Sequence, residues 1–419
     1  MDKLIVWLFQ TGEQLPIEKN IRKMRNSLIA KKLVERGHTV CWWASCFEHQ
    51  RKIMLSESDK EIHVSPNFTI RLLKGFGYKK NVSISRYIDH YLVSRKFRIY
   101  SRNLSKPDVI IASTPCYHLA YEAACYAEKM GIPLLVDIQD VWPDIFLDRI
   151  VNPVLKRLGR LVLAADFAKV VSLLRKADGL IAMSNGILKW GLNKIGREHN
   201  KWDRAFFLGY KSPYRLPKIE SRTTVPDWLK GREKQKLFIF LGTFGISYEL
   251  DLVVQAADRF HKSGETGICF VLAGRGEKYE SIRKQVKALP NVVLPGWIGD
   301  DEIRNLLQSG WTGLVCCKSV LDAMPNKCFE YLSADLPLIS SLEGEMAELI
   351  DHYKIGMNYL PGDLEGLCQC IEYLTNDPVR HDEMAKNAYE FFKNFGDADK
   401  IYDEYAKHIE RLVQYKNSA

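Results

Sequence analysis

Short apolar runs recur along the chain and alternate with longer stretches of helical period. In the N-terminal half, LIVWLF (4–9) predicts a strand, residues 21–36 a helix stopped by Gly37, and HTVCWWAS (38–45) a second strand. DVIIAS (108–113), a helix running to Met130, and LLVDI (134–138) repeat the unit. An amphipathic helix over 154–177 follows, then strand GLIAMS (179–184) and a helical stretch from Asn185. Residues 211–235 are polar, charged and Pro-containing, as a linker would be.

The rhythm restarts with LFIFLG (237–242), helix 249–263, ICFVLAG (268–274), helix 277–289, NVVLPG (291–296), helix 300–309 and TGLVCC (312–317). A helix from 325, LPLISS (336–341), helix 345–351 and three helical patterns at 363–375, 378–393 and 397–414 complete it. Strand and helix alternating at this pace predict an α/β fold: two Rossmann-like, doubly wound parallel sheets with a central cleft between them. The expected division is 1–210 for a first Rossmann-like domain, 211–235 for the linker and 236–395 for a second Rossmann-like domain. A helix over 396–419 would pack back on the first domain.

Composition adds limits. With 419 residues, 46% hydrophobic and 26% charged, the chain suits two soluble domains, and no apolar run is long enough for a membrane span. Its ten cysteines form no CxxC pair and no zinc-like spacing, which predicts buried reduced thiols in a cytoplasmic compartment and no metal site. Charge is uneven. Residues 1–208 hold 34 Lys/Arg against 20 Asp/Glu, a net of +14, while the remainder carries −5. Basic residues between Lys60 and Arg102 interleave with Phe76, Tyr78, Tyr87, Tyr91, Phe97 and Tyr100. That mixture suits an anionic membrane surface, and equally a solvated basic face. No zinc finger, RNP-like motif or helix-turn-helix pattern supports a nucleic-acid partner.

The segment with the most chemistry is PNKCFEYLSADLPLI (325–339). Pro325 suits the first turn of a helix, whose open amides and positive end favour a diphosphate, and Lys327 adds a point charge. Asn326 and Glu330 share a helix face, which would set a carboxylate one turn from the phosphates, in reach of ribose hydroxyls. A capped helix with a surface glutamate is the plain alternative.

This segment resembles the nucleotide-binding motif of retaining glycosyltransferases of family 4, which have the GT-B fold. It is most similar to the branch that includes bacterial N-acetylfucosamine transferases. RGHTV (36–40), WWASCFEHQRK (42–52), DIQDVWPDIF (137–146), ADGLIAMSNG (177–186) and NAYEFF (387–392) extend the resemblance in order along the chain. The resemblance implies donor contacts at Gly242, Thr243, Phe244, Gly274, Arg275, Trp297, Ile298, Lys318, Pro325, Asn326, Lys327 and Glu330. Glu330 would hold the ribose, and the backbone of Trp297 and Ile298 would meet the base. Asp140, Asp322 and Lys327 are the implied catalytic groups. Glu13 and Asp137 are expected near the acceptor, with capping or turn-forming carboxylates as the alternative. His49 and His118 are further polar candidates that could equally be structural.

Departures from the family pattern concern the same positions. Asp322 stands where relatives often have the first of two glutamates, and the Arg and Lys common after the first strand of the second half are absent from GTFGISYELD. The implied reaction moves a sugar from a nucleoside diphosphate, UDP before GDP, to a glycan or isoprenoid-diphosphate acceptor with retention. It needs no cofactor or metal, and its setting would be bacterial surface polysaccharide assembly at the cytoplasmic face of the membrane. A GT-B epimerase and an inactive scaffold subunit are the alternatives. A nicotinamide dehydrogenase is disfavoured, because neither half shows GxGxxG between strand and helix.

Overall fold

The computed structural model describes residues 3–17, 23–80, 83–148, 150, 152–211, 226–232, 234–318 and 324–418. The chain divides into two compact units, Met1–Phe206 with Tyr402–Ala419, and Phe207–Ile401.

The first unit runs β1 (Ile5–Phe9), α1 (Arg25–Glu35), β2 (Thr39–Ser45), β3 (Phe47–Glu48), β4 (Ile53–Met54), β5 (Lys60–Ser65), β6 (Phe68–Leu73) and α2 (Ile84–Tyr100). It continues through β7 (Val109–Ser113), α3 (Tyr117–Met130), β8 (Leu134–Ile138), α4 (Asp144–Asp148), α5 (Pro153–Val162) and α6 (Ala164–Lys176). β9 (Gly179–Ala182), α7 (Asn185–Ile195) and β10 (Arg204–Ala205) follow. The sheet order is β10-β9-β8-β7-β1-β2-β6-β5, parallel except for the antiparallel edge strand β5. Strands β7 and β8 are buried at every position because helices cover both faces. On one face Phe9, Trp43 and Phe97 pack edge-on, with ring centroids 4.8–5.0 Å apart around Phe97.

One expectation changes here. The stretch 154–177 is broken at Leu163 into α5 and α6, and α5 buries none of its residues. The basic stretch from Lys60 contains β5, β6 and α2: Phe68, Ile70, Leu72 and Leu73 of β6 are buried, whereas edge strand β5 buries none of its residues.

The second unit runs β11 (Lys236–Leu241), α8 (Leu250–Lys262), β12 (Ile268–Ala273), α9 (Tyr279–Gln285), β13 (Val292–Gly296), α10 (Asp300–Gln308) and β14 (Thr312–Val315). Then come α11 (Asn326–Leu332), β15 (Leu338–Ser340), α12 (Glu345–Tyr353), β16 (Gly356–Asn358), α13 (Leu364–Asn376) and α14 (Pro378–Phe391). Its sheet, β13-β12-β11-β14-β15-β16, is wholly parallel. Period-two alternation feeds two cores: Leu237, Ile239 and Leu241 face one, Phe238 and Phe240 the other. Most of the expected linker, 212–225 and 233, lies outside the described residues.

The last helix, α15 (Ala398–Ser418), belongs with the first unit from Tyr402 on. There Glu410 accepts from Arg36 Nε and Nη2 at 2.7 and 2.8 Å and lies 2.7 Å from His38 Nε2. His38 Nδ1 in turn accepts from Leu4 N at 3.2 Å. The RGHTV junction thus ties α15 to the entry of β1. Among the described residues no helix is long and apolar enough to cross a membrane.

Candidate functional site

In both sheets the strand order reverses beside the first strand, between β1 and β7 and between β11 and β14. Ligands of open α/β sheets bind outside the carboxyl ends of the strands at such a reversal. The two loop clusters there are built differently.

In the second unit the loops after β11, β12 and β13 are laced together by their backbones. Gly242 N donates to Ala273 O (3.0 Å), Phe244 N to Arg275 O (3.0 Å), Gly274 N to Gly296 O (2.7 Å) and Lys278 N to Phe244 O (2.9 Å). Glycine is required for this approach. A Cβ on Gly274, at φ +144°, would lie 1.8 Å from Gly242 O. The loop after β11 is also held to the end of β14, where Lys318 N donates to Ser247 O (2.9 Å) and Glu249 N to Cys316 O (3.0 Å).

Helix α11 closes the cluster. Tyr331 is fully buried, its hydroxyl accepts from Leu241 N at 2.7 Å, and its ring fills the space that Gly313 leaves. Cys328, Phe329 and Leu332 are buried as well, so the start of the helix is fixed relative to the strand ends. Lys327 and Glu330, one turn apart, are each 7% exposed. The Lys327 ammonium sits 3.8 Å from the ring centroids of both Phe240 and Tyr248. A Cβ on Gly242 would come within 3.2 Å of it. Among the described residues, Lys327 Nζ and Asn326 Oδ1 are buried polar atoms with no hydrogen-bond partner. Burial lowers the Lys327 amine to about 8, with nearby thiols and Glu330 opposing the shift. Among the described residues, then, a buried cation lies at the strand ends without a carboxylate hydrogen bond.

The donor candidates separate on this frame. Gly242, Gly274, Asn326, Lys327 and Glu330 belong to the laced cluster and α11. Pro325 is the residue preceding α11, not its first-turn residue, because its ψ of 140° is extended. Thr243, Arg275 and Lys318 are exposed at the rim, Arg275 stacking 4.9 Å from the Tyr279 ring centroid. Phe244 and Ile298 are core side chains, so only their backbones remain available, and Trp297 is 75% exposed. Asp322 lies outside the described residues.

In the first unit both acceptor candidates are tied into the fold. Glu13 caps α1, accepting from Asn26 N (2.8 Å), Asn26 Nδ2 (3.0 Å) and Ser27 N (2.9 Å), where the helix's own preceding residue, Met24, supplies no cap. Burial raises its carboxyl. Asp137 is 1% exposed and takes Arg25 in a two-pronged pair at 2.8 and 2.9 Å. Both carboxylates thus make contacts of the kind the structural alternative expects. Asp140 is half-buried, its Oδ1 accepting from Val141 N at 2.8 Å. His49 Nδ1 lies 2.7 Å from Tyr78 Oη, and His118 stacks on Tyr117 with centroids 4.5 Å apart. Burial lowers these two imidazoles to about 4 and about 3, so both are neutral at pH 7. Arg25 and Gln10 had no signal in the sequence. Gln10 Nε2 donates to Gln139 Oε1 (2.9 Å), and Gln139 Nε2 to Asp137 (3.2 Å).

Residues 221–391 match the family model described as glycosyl transferases group 1. Similar solved structures share the GT-B fold. Sucrose-phosphate synthase from Thermosynechococcus elongatus aligns with a TM-score of 0.70 at 12% identity, covering 99% of this chain and 100% of that one. HepE of Anabaena in complex with UDP gives 0.65 at 13%, covering 97% and 100%. WaaG, a glycosyltransferase involved in lipopolysaccharide biosynthesis, gives 0.63 at 13%, covering 95% and 99%. No curated protein matches the chain.

Proposed function

We propose that this chain, a glycosyltransferase with a group 1 domain over residues 221–391, moves a sugar from a UDP-sugar to a hydroxyl of a glycan or lipid-linked acceptor with retention of configuration. The observation that carries the reading is the buried ammonium of Lys327 among the strand-end loops, which has no hydrogen-bond partner among the described residues. It supplies the charge that a leaving diphosphate needs, and it stands in for the Arg and Lys missing from GTFGISYELD.

In this reading the acceptor oxygen attacks the anomeric carbon on the face from which the donor phosphate departs. The bond from that carbon to the phosphate oxygen breaks, and the acceptor proton passes to the departing phosphate. Lys327 and the first-turn amides of α11 meet the developing charge, so no metal ion is called on. Glu330 takes the ribose hydroxyls, Lys318 and Arg275 add charge at the rim, and Asp140 is the acid proposed nearest the acceptor. UDP is favoured because HepE was solved with UDP and with UDP-glucose. The likeness of PNKCFEY to the N-acetylfucosamine transferase branch, together with the basic first half, supports an isoprenoid-diphosphate acceptor. It also supports a role in surface polysaccharide assembly at the cytoplasmic face of the membrane.

Transfer assays with a panel of nucleotide sugars and isoprenoid-diphosphate glycans test the reaction, beside UDP titrations of Glu330→Ala. Product with inverted configuration, or UDP affinity untouched by Glu330→Ala, would count against the mechanism and the site respectively.

A further inference from the structure

Helix α5 buries none of its residues, yet half of them are large aliphatics: Val154 (63% exposed), Leu155 (56%), Leu158 (53%), Leu161 (73%) and Val162 (79%). At about 100° per residue these five fall within an arc of about 120°. Lys156, Arg157 and Arg160 fall on the opposite side. No acid occurs between Asp148 and Asp166. The helix is a formed element with its own cap, since Asn152 Oδ1 accepts from Val154 N (2.9 Å) and Leu155 N (3.3 Å). It is anchored at Gly159, where a Cβ would come within 2.8 Å of Leu147. That anchor lies beside the aliphatic arc and leaves the arc facing outward.

Helix α2 is tied to α6, the helix that follows α5. Tyr87 Oη donates to Asp166 at 3.2 Å, joining the first turns of α2 to the start of α6, which follows directly on α5. Around that junction Ile84 (80% exposed) and Ile88 are outward, with Lys79 and Lys80 exposed just before the helix.

We infer that α5, with the first turns of α2, is a docking face for an anionic phospholipid bilayer. The aliphatic arc enters the headgroup boundary while Lys156, Arg157 and Arg160 reach the lipid phosphates. A second copy of the chain suits this face less, because pairing α5 with itself would set like charges together with no acid on the helix to offset them. The inference extends the lipid-linked acceptor proposed above, since it places the first unit at the surface where such an acceptor resides. It adds α5, which lies outside Lys60–Arg102, to the α2 residues within that stretch.

The test is flotation of the full chain with vesicles of phosphatidylcholine alone or mixed with phosphatidylglycerol, without substrate. The parent is expected to float with the mixed vesicles and not with phosphatidylcholine alone. Leu155→Gln with Leu161→Gln should abolish flotation. Arg157→Gln with Arg160→Gln should weaken it about 30-fold, at roughly 1 kcal/mol per basic side chain. UDP titrations on every variant keep this test separate from the enzymatic reading, because α5 can fail here while UDP still binds, and the reverse. Absence of parent binding to mixed vesicles would overturn the inference. So would undiminished flotation of the Leu155/Leu161 variant, or a parent dimer that this variant turns into a monomer.

Discussion

The ammonium of Lys327 lies 3.8 Å from the ring centroid of Tyr248 and the same distance from that of Phe240, with aromatic faces taking the place of hydrogen-bond acceptors. Ring quadrupoles stabilise a cation without neutralising it. On the proposed reading the charge is held ready, at a cost to the unliganded fold, for an anion that arrives with the donor.

Lys327→Met follows directly. Removing the buried ammonium should weaken UDP binding by about 10- to 100-fold, the range for a charge-assisted hydrogen bond. The same change should stabilise the ligand-free protein by up to about 3 kcal/mol at pH 7, because burial holds the amine well below its usual range. Thermal melts with and without UDP read both effects. A variant that loses UDP binding without gaining stability would mean the ammonium is already compensated.

The same amine gives opposite pH slopes to stability and binding. In the folded, ligand-free protein burial lowers it to about 8, from about 10.5 for an exposed lysine. Between those values the unfolded chain binds more protons, so this group's contribution to stability rises with pH and levels off above the upper value. Donor binding needs the charged form, so apparent UDP affinity should fall above about 8, approaching about tenfold per pH unit until the bound-state value is reached. Calorimetric UDP titrations from pH 7 to 9.5, repeated on Lys327→Met, isolate the term: the slope should vanish in the variant.

Gly274→Ala probes the lacing of the loops. Its Cβ would fall 1.8 Å from Gly242 O, and both partners are backbone with no flexible end to yield. A loss of about 3 kcal/mol or more is expected, from the clash and the positive φ together. UDP binding should fail even below the lowered melting temperature. Gly245→Ala, with open space around its Cβ, is the control and should do neither.

What the sequence disclosed and what it hid follow one division. Buried strands such as LLVDI and ICFVLAG are apolar at almost every position, and PNKCFEY puts a proline, a cation and a carboxylate at one helix start, so each carries its signal within a few residues. Arg25 does not: its partner Asp137 is 112 residues away, and only the adjacency of sheet and helix brings them together. Period also misled at 154–177, where a single amphipathic pattern continues across Leu163 although the chain turns there and α5 leaves the core. For Glu13, residue type gave a carboxylate, but its role as a cap for α1 depends on a loop folding back.

The Arg25–Asp137 pair carries the last expectation. Both side chains are 1–2% exposed, and Arg25 Nη1 also donates to Phe206 O at 2.7 Å. Taking away one partner leaves the other charged and buried, which costs about 3–5 kcal/mol. Asp137→Asn and Arg25→Met should each lower the unfolding free energy, read from urea titrations, by that amount. The double variant should lose less than the two singles added, because neither charge is then stranded. UDP affinity, set by the second unit, should stay at the parent value in all three while they remain folded. If Asp137→Asn instead raised the acceptor KM with the urea midpoint unchanged, Asp137 would be a substrate contact, and the structural role given to it here would be wrong.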